Sequence, residues 1–523
     1  MTMEQMEQLL SDLSSGYYIR QVGAILLLFL IGAVFLHGIR EKMDAKWLYL
    51  LAYPMGLAIW CIVGFLLLTL GIPFGLYSEF ALIALILFGS ALVTGRRHRY
   101  REKRVDIEKP VVTVLIALGI VALVACVATS GILSISVSND TMYYYMYYPE
   151  VLVQEGAYLS AYDVFLSDVG PMAAIIGTIP AMLGFDQFYG IQQVFNLNFI
   201  LIFAMFLYER AKDRLAGKTA VVLTITATVL LATTTPFMVL SKWILANVYV
   251  MDYSFILFAF AYKISAKRKP EEQCGRDYMI VFMVLSAMIS MLRMEGGMLM
   301  CFLILCISTL RFRNRELITR FLLPAAIMPC LYYIRYFAFL DVSPLYSFLT
   351  WQKALVAVGV MILLGHYLGA VRGKRFVRLQ KRTGWLILLG LLAANIGLFA
   401  IAPSNYLIVI RAFWQNVIGQ AGWGYAVYLL LICYIVICFA KRNDKSSPDV
   451  SYEELVFLGY ILYAVAVSFA RGDGLRQGIG DSGNRVMLQV IPFFVYAIVM
   501  KVTELIGGVE GEAGEDGTHN QCG

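Results

Sequence analysis

The amino-acid sequence predicts an all-α protein that crosses a membrane many times. Of its 523 residues, 60% are hydrophobic and only 15% are charged, and the mean hydropathy is +0.74. A water-soluble fold has no core large enough to bury so much apolar side chain, so lipid must be the solvent for most of it. Several apolar runs also approach the roughly 20 residues that a helix needs to cross a bilayer, and short basic loops separate them.

Taking the apolar runs in chain order gives about fifteen transmembrane helices. The predicted spans are 21–37, 47–70, 79–94, 111–135, 189–207, 219–237, 248–262, 278–292, 296–310, 321–338, 354–370, 385–402, 423–440, 453–470 and 485–503. The acidic, glycine-rich end of the chain, 504–523, is predicted to be a disordered cytoplasmic tail.

The distribution of Lys and Arg predicts the orientation of these spans. Basic residues are concentrated in short links between spans, namely 95–110, 208–218, 263–277, 311–320, 371–382 and 441–447. Positions 111–209 contain neither Lys nor Arg, and 136–188 within them carries six acids. The positive-inside rule therefore places the basic links in the cytoplasm and 136–188 outside. Short basic links of this kind do not indicate a nucleic-acid partner.

Two segments are predicted to be helices at the outer membrane surface. Segment 171–184 reads PMAAIIGTIPAMLG, which is apolar but too short for a span and is interrupted by Pro180. We expect it to lie on or dip into the outer surface. The amphipathic segment 404–420 is expected to behave in the same way. Because the chain has no soluble domain, its function must lie at the outer membrane boundary.

An acid followed by a cluster of tyrosines opens the outer loop. Asp140 precedes the run TMYYYMYY, and helical spacing places the acid, Tyr143, Tyr144 and Tyr147 along one face. One interpretation is a helix cap followed by an aromatic belt at the membrane interface. The other is a catalytic carboxylate at the mouth of a sugar-binding cleft.

The order of motifs in this region resembles that of the polyprenyl-phosphate-dependent GT-C glycosyltransferases, including those of bacterial surface polysaccharides. These families carry an Asp just after the first core span, then a Tyr and a Gly, which Asp140, Tyr144 and Gly156 match. Segment 171–184 matches their proline-led outer helix. The resemblance covers about residues 111–503 and implies a GT-C-like helical bundle with interfacial helices in a large first extracytoplasmic loop. Residues 1–110 would then be additional N-terminal transmembrane helices.

Further positions are matched to the family more loosely. Asp252 corresponds to a second acid at the start of a span, and Arg293 with Glu295 beside it corresponds to a tight outer hairpin. Arg485 corresponds to the arginine of the final span. The chain has DVGP where several members place a cation before the proline, so the charge for a donor phosphate must come from elsewhere. The candidates for binding the donor phosphate are Arg293, Arg485 and Arg471, and those for binding the rest of the substrate are Tyr143, Tyr144, Tyr147, Asp252 and Glu295.

The resemblance implies transfer of a hexose or pentose from a polyprenyl-phosphate donor to a cell-envelope glycan or lipid acceptor, with inversion. Asp140 would act as general base, and arginines would stabilise the leaving phosphate. A metal would require carboxylates such as Asp140, Asp252 and Glu295 to converge, and none is favoured because arginines can neutralise a monophosphate. No cofactor is expected beyond the lipid-linked donor itself.

Two other classes of membrane protein remain open. One is a transporter or a flippase for lipid-linked sugars, and the other is a polysaccharide polymerase or ligase. In every case we expect a multi-pass protein of the cell membrane, with the active site on the extracytoplasmic side.

Overall fold

The computed structural model of the chain is helical throughout the part that it describes. That part comprises residues 17–38, 44–73, 75–95, 141–155, 170–183, 191–266, 276–293, 295–334, 351–370, 373–419, 423–441, 450–470 and 482–519. The predicted span 111–135 lies outside these ranges, as do Asp140, Gly156 and Arg471.

Twenty α-helices and two π-helical segments follow one another in the described residues. The first half contains α1 (Tyr17–Gly38), α2 (Ala45–Thr69), α3 (Leu76–Gly95), the first π-helical segment (Thr141–Tyr147), α4 (Tyr148–Glu155), α5 (Pro171–Leu183), α6 (Ile191–Lys212), α7 (Gly217–Ala232), α8 (Thr235–Leu240) and α9 (Ala246–Ala266). The second half contains α10 (Arg276–Leu292), α11 (Gly296–Ile307), α12 (Asn314–Leu317), the second π-helical segment (Ile318–Leu322), α13 (Leu323–Ile334), α14 (Trp351–Ala370), α15 (Gly373–Ile401), α16 (Pro403–Ile418), α17 (Tyr425–Lys441), α18 (Tyr452–Ala470), α19 (Ser482–Leu488) and α20 (Ile491–His519).

Seven helical stretches of the described chain are long and apolar enough to cross a membrane. They are Arg20–Gly38, Lys46–Thr69, Ile191–Lys212, Ala246–Ala266, Arg382–Ile401, Tyr452–Ala470 and Arg485–Gly507. Further apolar helices of 10–17 residues include α5, α7 and α11. The prediction of an α-helical membrane protein is therefore confirmed, while the total of about fifteen spans stays a prediction.

Helix α2 lies in the interior of the bundle although it contains a proline. Pro54 has no N–H, so the carbonyl of Leu50 lacks its partner within the helix. The side chain of Asn198 on α6 supplies one, because its Nδ2 donates to the Leu50 oxygen at 3.0 Å. The hydroxyl of Tyr253 on α9 donates to the carbonyl of Pro54 at 2.7 Å. Such side-chain hydrogen bonds make a proline tolerable in a membrane-spanning helix, and here they tie α2 to α6 and α9.

These contacts make α2 part of the central bundle. It also packs against α5 and α10, and its side chains from Leu51 to Cys61 are all buried. The family resemblance treats residues 1–110 as an addition to the core. In the structure, α2 instead lies between elements of the segment 111–503.

Basic side chains and their acidic partners gather at one end of the bundle, which we call the basic end. Glu209 near the end of α6 forms salt bridges of 2.9 Å with both Lys46 at the start of α2 and Lys263 near the end of α9. The indole nitrogen of Trp47 donates to the same carboxylate at 3.0 Å. Further ion pairs join Arg214 to Glu504 and Lys501 to Glu454. Several helix ends that the positive-inside rule assigns to the cytoplasm thus lie together on one side.

Helix α5 belongs to the opposite end of the bundle. Its final carbonyl, that of Leu183, accepts a hydrogen bond of 3.1 Å from Arg20 at the start of α1. All residues from Pro171 to Pro180 are buried, so this part of the helix is enclosed by protein, whereas the sequence predicts a helix at the surface. A Cβ on Gly177 would lie 2.4 Å from Pro149 and 2.8 Å from the carbonyl oxygen of Tyr145. Helix α5 and the segment that carries Tyr145 and Pro149 therefore pack with their backbones in close approach.

Three boundaries differ from those that the sequence predicts. Helix α15 begins at Gly373, so most of the predicted basic loop 371–382 is helical. The predicted span 485–503 is divided into α19 and α20, because Pro492 cannot donate to the carbonyl of Leu488. Helix α20 continues to His519, whereas the sequence predicts disorder from residue 504. Its continuation past residue 503 is supported by the 2.9 Å ion pair between Glu504 and Arg214.

Candidate functional site

The hairpin between α10 and α11 brings a buried arginine and a buried glutamate together. Arg293 and Glu295 are only 8% and 7% exposed, and Arg293 Nε donates to Glu295 Oε1 at 2.5 Å. The following residue is Gly296, where a Cβ would lie 2.4 Å from the carbonyl oxygen of Ile289. Only glycine fits this position without displacing the backbone, so the local sequence RMEGG suits the tight turn.

Arg293 and Glu295 line a small cleft between α9, α11, α18 and the junction of α19 with α20. Its other walls are formed by Val250, Gly296, Leu299, Tyr463, Ala464, Val467, Val486 and Gln489. The hydroxyl of Tyr463 donates to the backbone carbonyl of Glu295 at 3.2 Å, and its ring stacks on Phe302 at 5.6 Å. These contacts hold the hairpin against α18. The cleft thus combines a cation, a carboxylate and an amide within mostly apolar walls.

A chain of buried hydrogen bonds supports the far wall of the cleft. The hydroxyl of Tyr460 on α18 donates to Gln489 Oε1 at 2.8 Å, and Gln489 Nε2 donates to Asn247 Oδ1 at 3.2 Å. Tyr460, Gln489 and Asn247 are all at most 5% exposed. Because each comes from a different helical element, the chain fixes α9, α18 and the α19–α20 junction relative to one another.

The segment 141–155 and the start of α5 reach the same hairpin. Gly170, directly before α5, has a φ of +86°, and a Cβ there would lie 2.8 Å from the Cα of Arg293. Tyr145 of the first π-helical segment is buried and interacts electrostatically with Arg293. The hairpin, the tyrosine run and the start of α5 therefore meet at Arg293.

The environment of Arg293 keeps its side chain charged. Burial is the largest single effect and acts to lower the pKa of Arg293, but the Glu295 carboxylate, Tyr145 and Tyr463 together outweigh it, so the pKa ends above its ordinary value. A permanently charged guanidinium in a cleft with little water is suited to bind an anion, because its fork of N–H groups matches carboxylate and phosphate oxygens.

The structure brings some of the predicted site residues into the cleft and leaves others away from it. Arg293 and Glu295 line it. Arg485 is half-buried and precedes Val486, which lines it as well. Tyr144 is half-buried and Tyr147 is 51% exposed, on the segment that carries Tyr145. The backbone of Tyr143 belongs to the same segment, while its side chain lies outside the described residues.

Asp252 is not part of the cleft. It lies two residues after Val250 on α9, which places it about 200° around the helix from that wall. Its side chain is 0% exposed, and neither carboxyl oxygen has a hydrogen-bond partner among the residues that the structure describes. Its position near the start of a span made it resemble a second site acid, but position in the sequence does not determine which side of the helix faces the cleft.

Sequence reasoning missed Gln489, Asn247 and Tyr463. Amides and single tyrosines within apolar runs carry no pattern that separates a cleft residue from an ordinary buried one. The only available signal was the position of Gln489 in the motif DSGNRVMLQVIPF, just before the proline that divides the last span.

Within the described ranges, no group of three His, Cys, Asp or Glu side chains could hold a metal ion. Of the carboxylates named as a possible metal set, Glu295 and Asp252 lie on different sides of α9 and Asp140 lies outside the described residues. The described part of the cleft therefore has one carboxylate, which is paired with Arg293.

No family model, no curated protein and no solved structure matches this chain. The resemblance to GT-C glycosyltransferases therefore rests on the motifs of the sequence, and the chemistry of the cleft has to be argued from its own geometry.

Proposed function

We propose that the protein is a GT-C-type glycosyltransferase, which moves a sugar from a polyprenyl-phosphate donor to a cell-envelope glycan or lipid acceptor. The observation that carries the proposal is that three segments meet around Arg293. They are the α10–α11 hairpin, the tyrosine run after Asp140 and the proline-led helix α5. The family resemblance assigns the active site to the same three segments.

The position of the cleft suits a lipid-linked donor. It lies at the opposite end of α6 and α9 from the basic end, because Asn247 begins α9 and Lys263 is near its end. If the basic end faces the cytoplasm, the cleft faces outwards at the level of the lipid headgroups. A polyprenyl tail stays in the bilayer and presents its phosphate and sugar at that same level.

In this proposal Arg293 binds the donor phosphate and stabilises the charge that develops on it as the glycosidic bond breaks. Arg485 at the edge of the cleft and Arg471 are the other proposed phosphate ligands. Glu295 is placed to accept hydrogen bonds from sugar hydroxyls. Tyr143, Tyr144 and Tyr147 would present ring faces and hydroxyls to the sugars.

Asp140 is the proposed general base. It immediately precedes the helical segment that carries Tyr145, the tyrosine that interacts with Arg293. Its carboxylate would take the proton of the acceptor hydroxyl as that oxygen attacks the anomeric carbon from the face opposite the phosphate. The bond to the phosphate oxygen breaks in the same step, with inversion, and polyprenyl phosphate leaves. Positioned proton transfer of this kind contributes roughly 10²–10⁴-fold to the rate.

A transporter, including a flippase for lipid-linked sugars, is the second candidate. Asp252 on α9 and Glu79 on α3 are 0% exposed, and within the described ranges none of their carboxyl oxygens has a hydrogen-bond partner. Ionisable groups inside membrane helices often mark ion or proton pathways. This function would require movement of a substrate across the membrane, without formation of a glycosidic bond.

The deciding experiment measures sugar transfer in membranes supplied with polyprenyl-phosphate sugars. Asp140→Asn should reduce transfer by about 10²–10⁴-fold at normal expression, and Asp163→Asn, in the same outer loop, should leave it unchanged. If Asp140→Asn retains full activity, the base mechanism is wrong. If Asp140→Asn retains sugar transfer while Arg293→Ala loses it, the result would favour a polymerase or ligase that relies on arginines.

A further inference from the structure

The amide of Gln489 is held in one orientation. The phenol of Tyr460 donates its hydrogen to the carbonyl oxygen of Gln489 at 2.8 Å. The amide nitrogen then faces Asn247, to which it donates at 3.2 Å. Asn247 and Tyr460 are 2% and 0% exposed, so neither partner has room to move away.

This arrangement leaves one N–H of Gln489 for a ligand. A carboxamide nitrogen has two hydrogens, and among the described residues only Asn247 receives one from Gln489. The side chain is 5% exposed and lines the cleft beside Arg293. A buried N–H without a partner is costly, and a ligand with an acceptor oxygen would remove that cost.

The cleft also supplies a charged donor and an acceptor. The salt bridge uses the Nε atom of Arg293, which leaves its two terminal nitrogens to bind an anion. The Glu295 carboxylate is an acceptor in the same cleft. An anion alone needs only the cation, whereas a neutral N–H donor next to a carboxylate acceptor matches a hydroxyl group, which both accepts and donates.

We propose that Gln489 is a specificity-determining residue that donates a hydrogen bond to a hydroxyl of the donor sugar while Arg293 holds the phosphate. This inference rests on the proposed function and makes it more specific. The site would distinguish a glycosylated polyprenyl phosphate from the bare lipid phosphate that is left after transfer. Release of the product would then be favoured by the loss of the Gln489 contact.

The test measures binding of two kinds of probe to the full-length protein in detergent by native mass spectrometry. One probe is decaprenyl phosphate, and the other is the tightest binder among decaprenyl-phosphate hexoses and pentoses. Gln489→Leu should lower the affinity for the glycosylated probe about 3- to 10-fold, as expected for the loss of one neutral hydrogen bond. Its affinity for decaprenyl phosphate should stay within about twofold of the wild-type value. Gln489→Met, a second replacement close in volume, should behave in the same way.

Two controls separate this inference from the proposed function. Gln192 is an equally buried amide that donates to the carbonyls of Ser241 and Trp243, and it does not line the cleft. Gln192→Leu should therefore leave the ratio of the two affinities unchanged. Arg293→Ala should lower the affinity for both probes. If it lowers neither affinity, the proposed phosphate site is wrong.

The proposal for Gln489 is overturned by either of two results. One is an equal loss of affinity for both probes in the Gln489 variants, which would show that the amide only supports the wall of the cleft. The other is a wild-type protein that binds no glycosylated probe more tightly than decaprenyl phosphate. This second comparison uses only the wild-type protein, so it can be made even if the Gln489 variants fail to fold.

Discussion

Replacing Asn198 by leucine should destabilise the protein only while Pro54 is present. The change removes the 3.0 Å hydrogen bond that satisfies the Leu50 carbonyl, and a buried carbonyl without a partner costs about 1–3 kcal/mol. The Oδ1 atom of Asn198 has no hydrogen-bond partner in the part of the chain that the structure describes, so removing this polar atom offsets part of the loss. The expected decrease in the free energy of unfolding is therefore about 1 kcal/mol, the lower end of that range.

Pro54→Ala restores an N–H that can bond to the Leu50 carbonyl within α2. In that background, Asn198→Leu should cost less than about 0.5 kcal/mol, which gives a coupling energy of the order of 1 kcal/mol between the two positions. The hydrogen bond from Tyr253 remains, because alanine keeps the carbonyl at position 54.

The assay is equilibrium unfolding of the full-length protein in mixed micelles, followed by tryptophan fluorescence, for the wild type, both single variants and the double variant. Asn395→Leu is the matched control, because Asn395 donates to Leu391 and Leu462 and no proline is involved. Asn395→Leu should lower the free energy of unfolding by the same amount with and without Pro54. An equal cost of Asn198→Leu in both backgrounds would refute the argument that the proline creates the need for the asparagine.

Three further predictions concern the basic end, the hairpin and the orientation. Glu209→Gln removes a charge shared by two lysines and should lower the free energy of unfolding by about 1–3 kcal/mol in the same assay. No measurable change would mean that solvent screens these pairs. Gly170→Ala puts a methyl group 2.8 Å from the hairpin backbone and should reduce sugar transfer roughly 10- to 100-fold. Gly71 also has a positive φ, but a Cβ there would have nothing within 4 Å, so Gly71→Ala should leave sugar transfer unchanged. Equal losses of transfer in the two variants would point to backbone strain alone. In a variant without cysteines, Gln154→Cys should react with an impermeant maleimide only from outside and Lys218→Cys only from the cytosol. Labelling of both from one face would contradict the orientation.

Most helices could be predicted because hydropathy is a local property. The predicted span 453–470 corresponds to Tyr452–Ala470, and 248–262 falls within Ala246–Ala266. The predicted boundaries failed where a structural contact outweighs composition. Glu504 belongs to an acidic segment typical of a disordered tail, yet its pairing with Arg214 supports another helical turn.

The site was predictable only where charge and order along the chain carried information. Arg293 and Glu295 were singled out because their place in the chain resembles the tight outer hairpin of the GT-C families. Asp252 was singled out by the same resemblance but faces another side of α9, and order along the chain does not resolve which side of a fully buried helix meets a cleft. Gln489 was missed because its role depends on Tyr460 and Asn247, which are distant in sequence and brought together only by packing.

The embedding of α2 limits how far the chain can be shortened. A fragment starting at residue 111 would retain Glu209, Asn198 and Tyr253 but lose Lys46, Trp47 and the carbonyls of Leu50 and Pro54. We expect cells to degrade such a fragment instead of accumulating a smaller protein. Separate synthesis of residues 1–110 alongside it should restore its abundance, as two halves of a split protein complement each other.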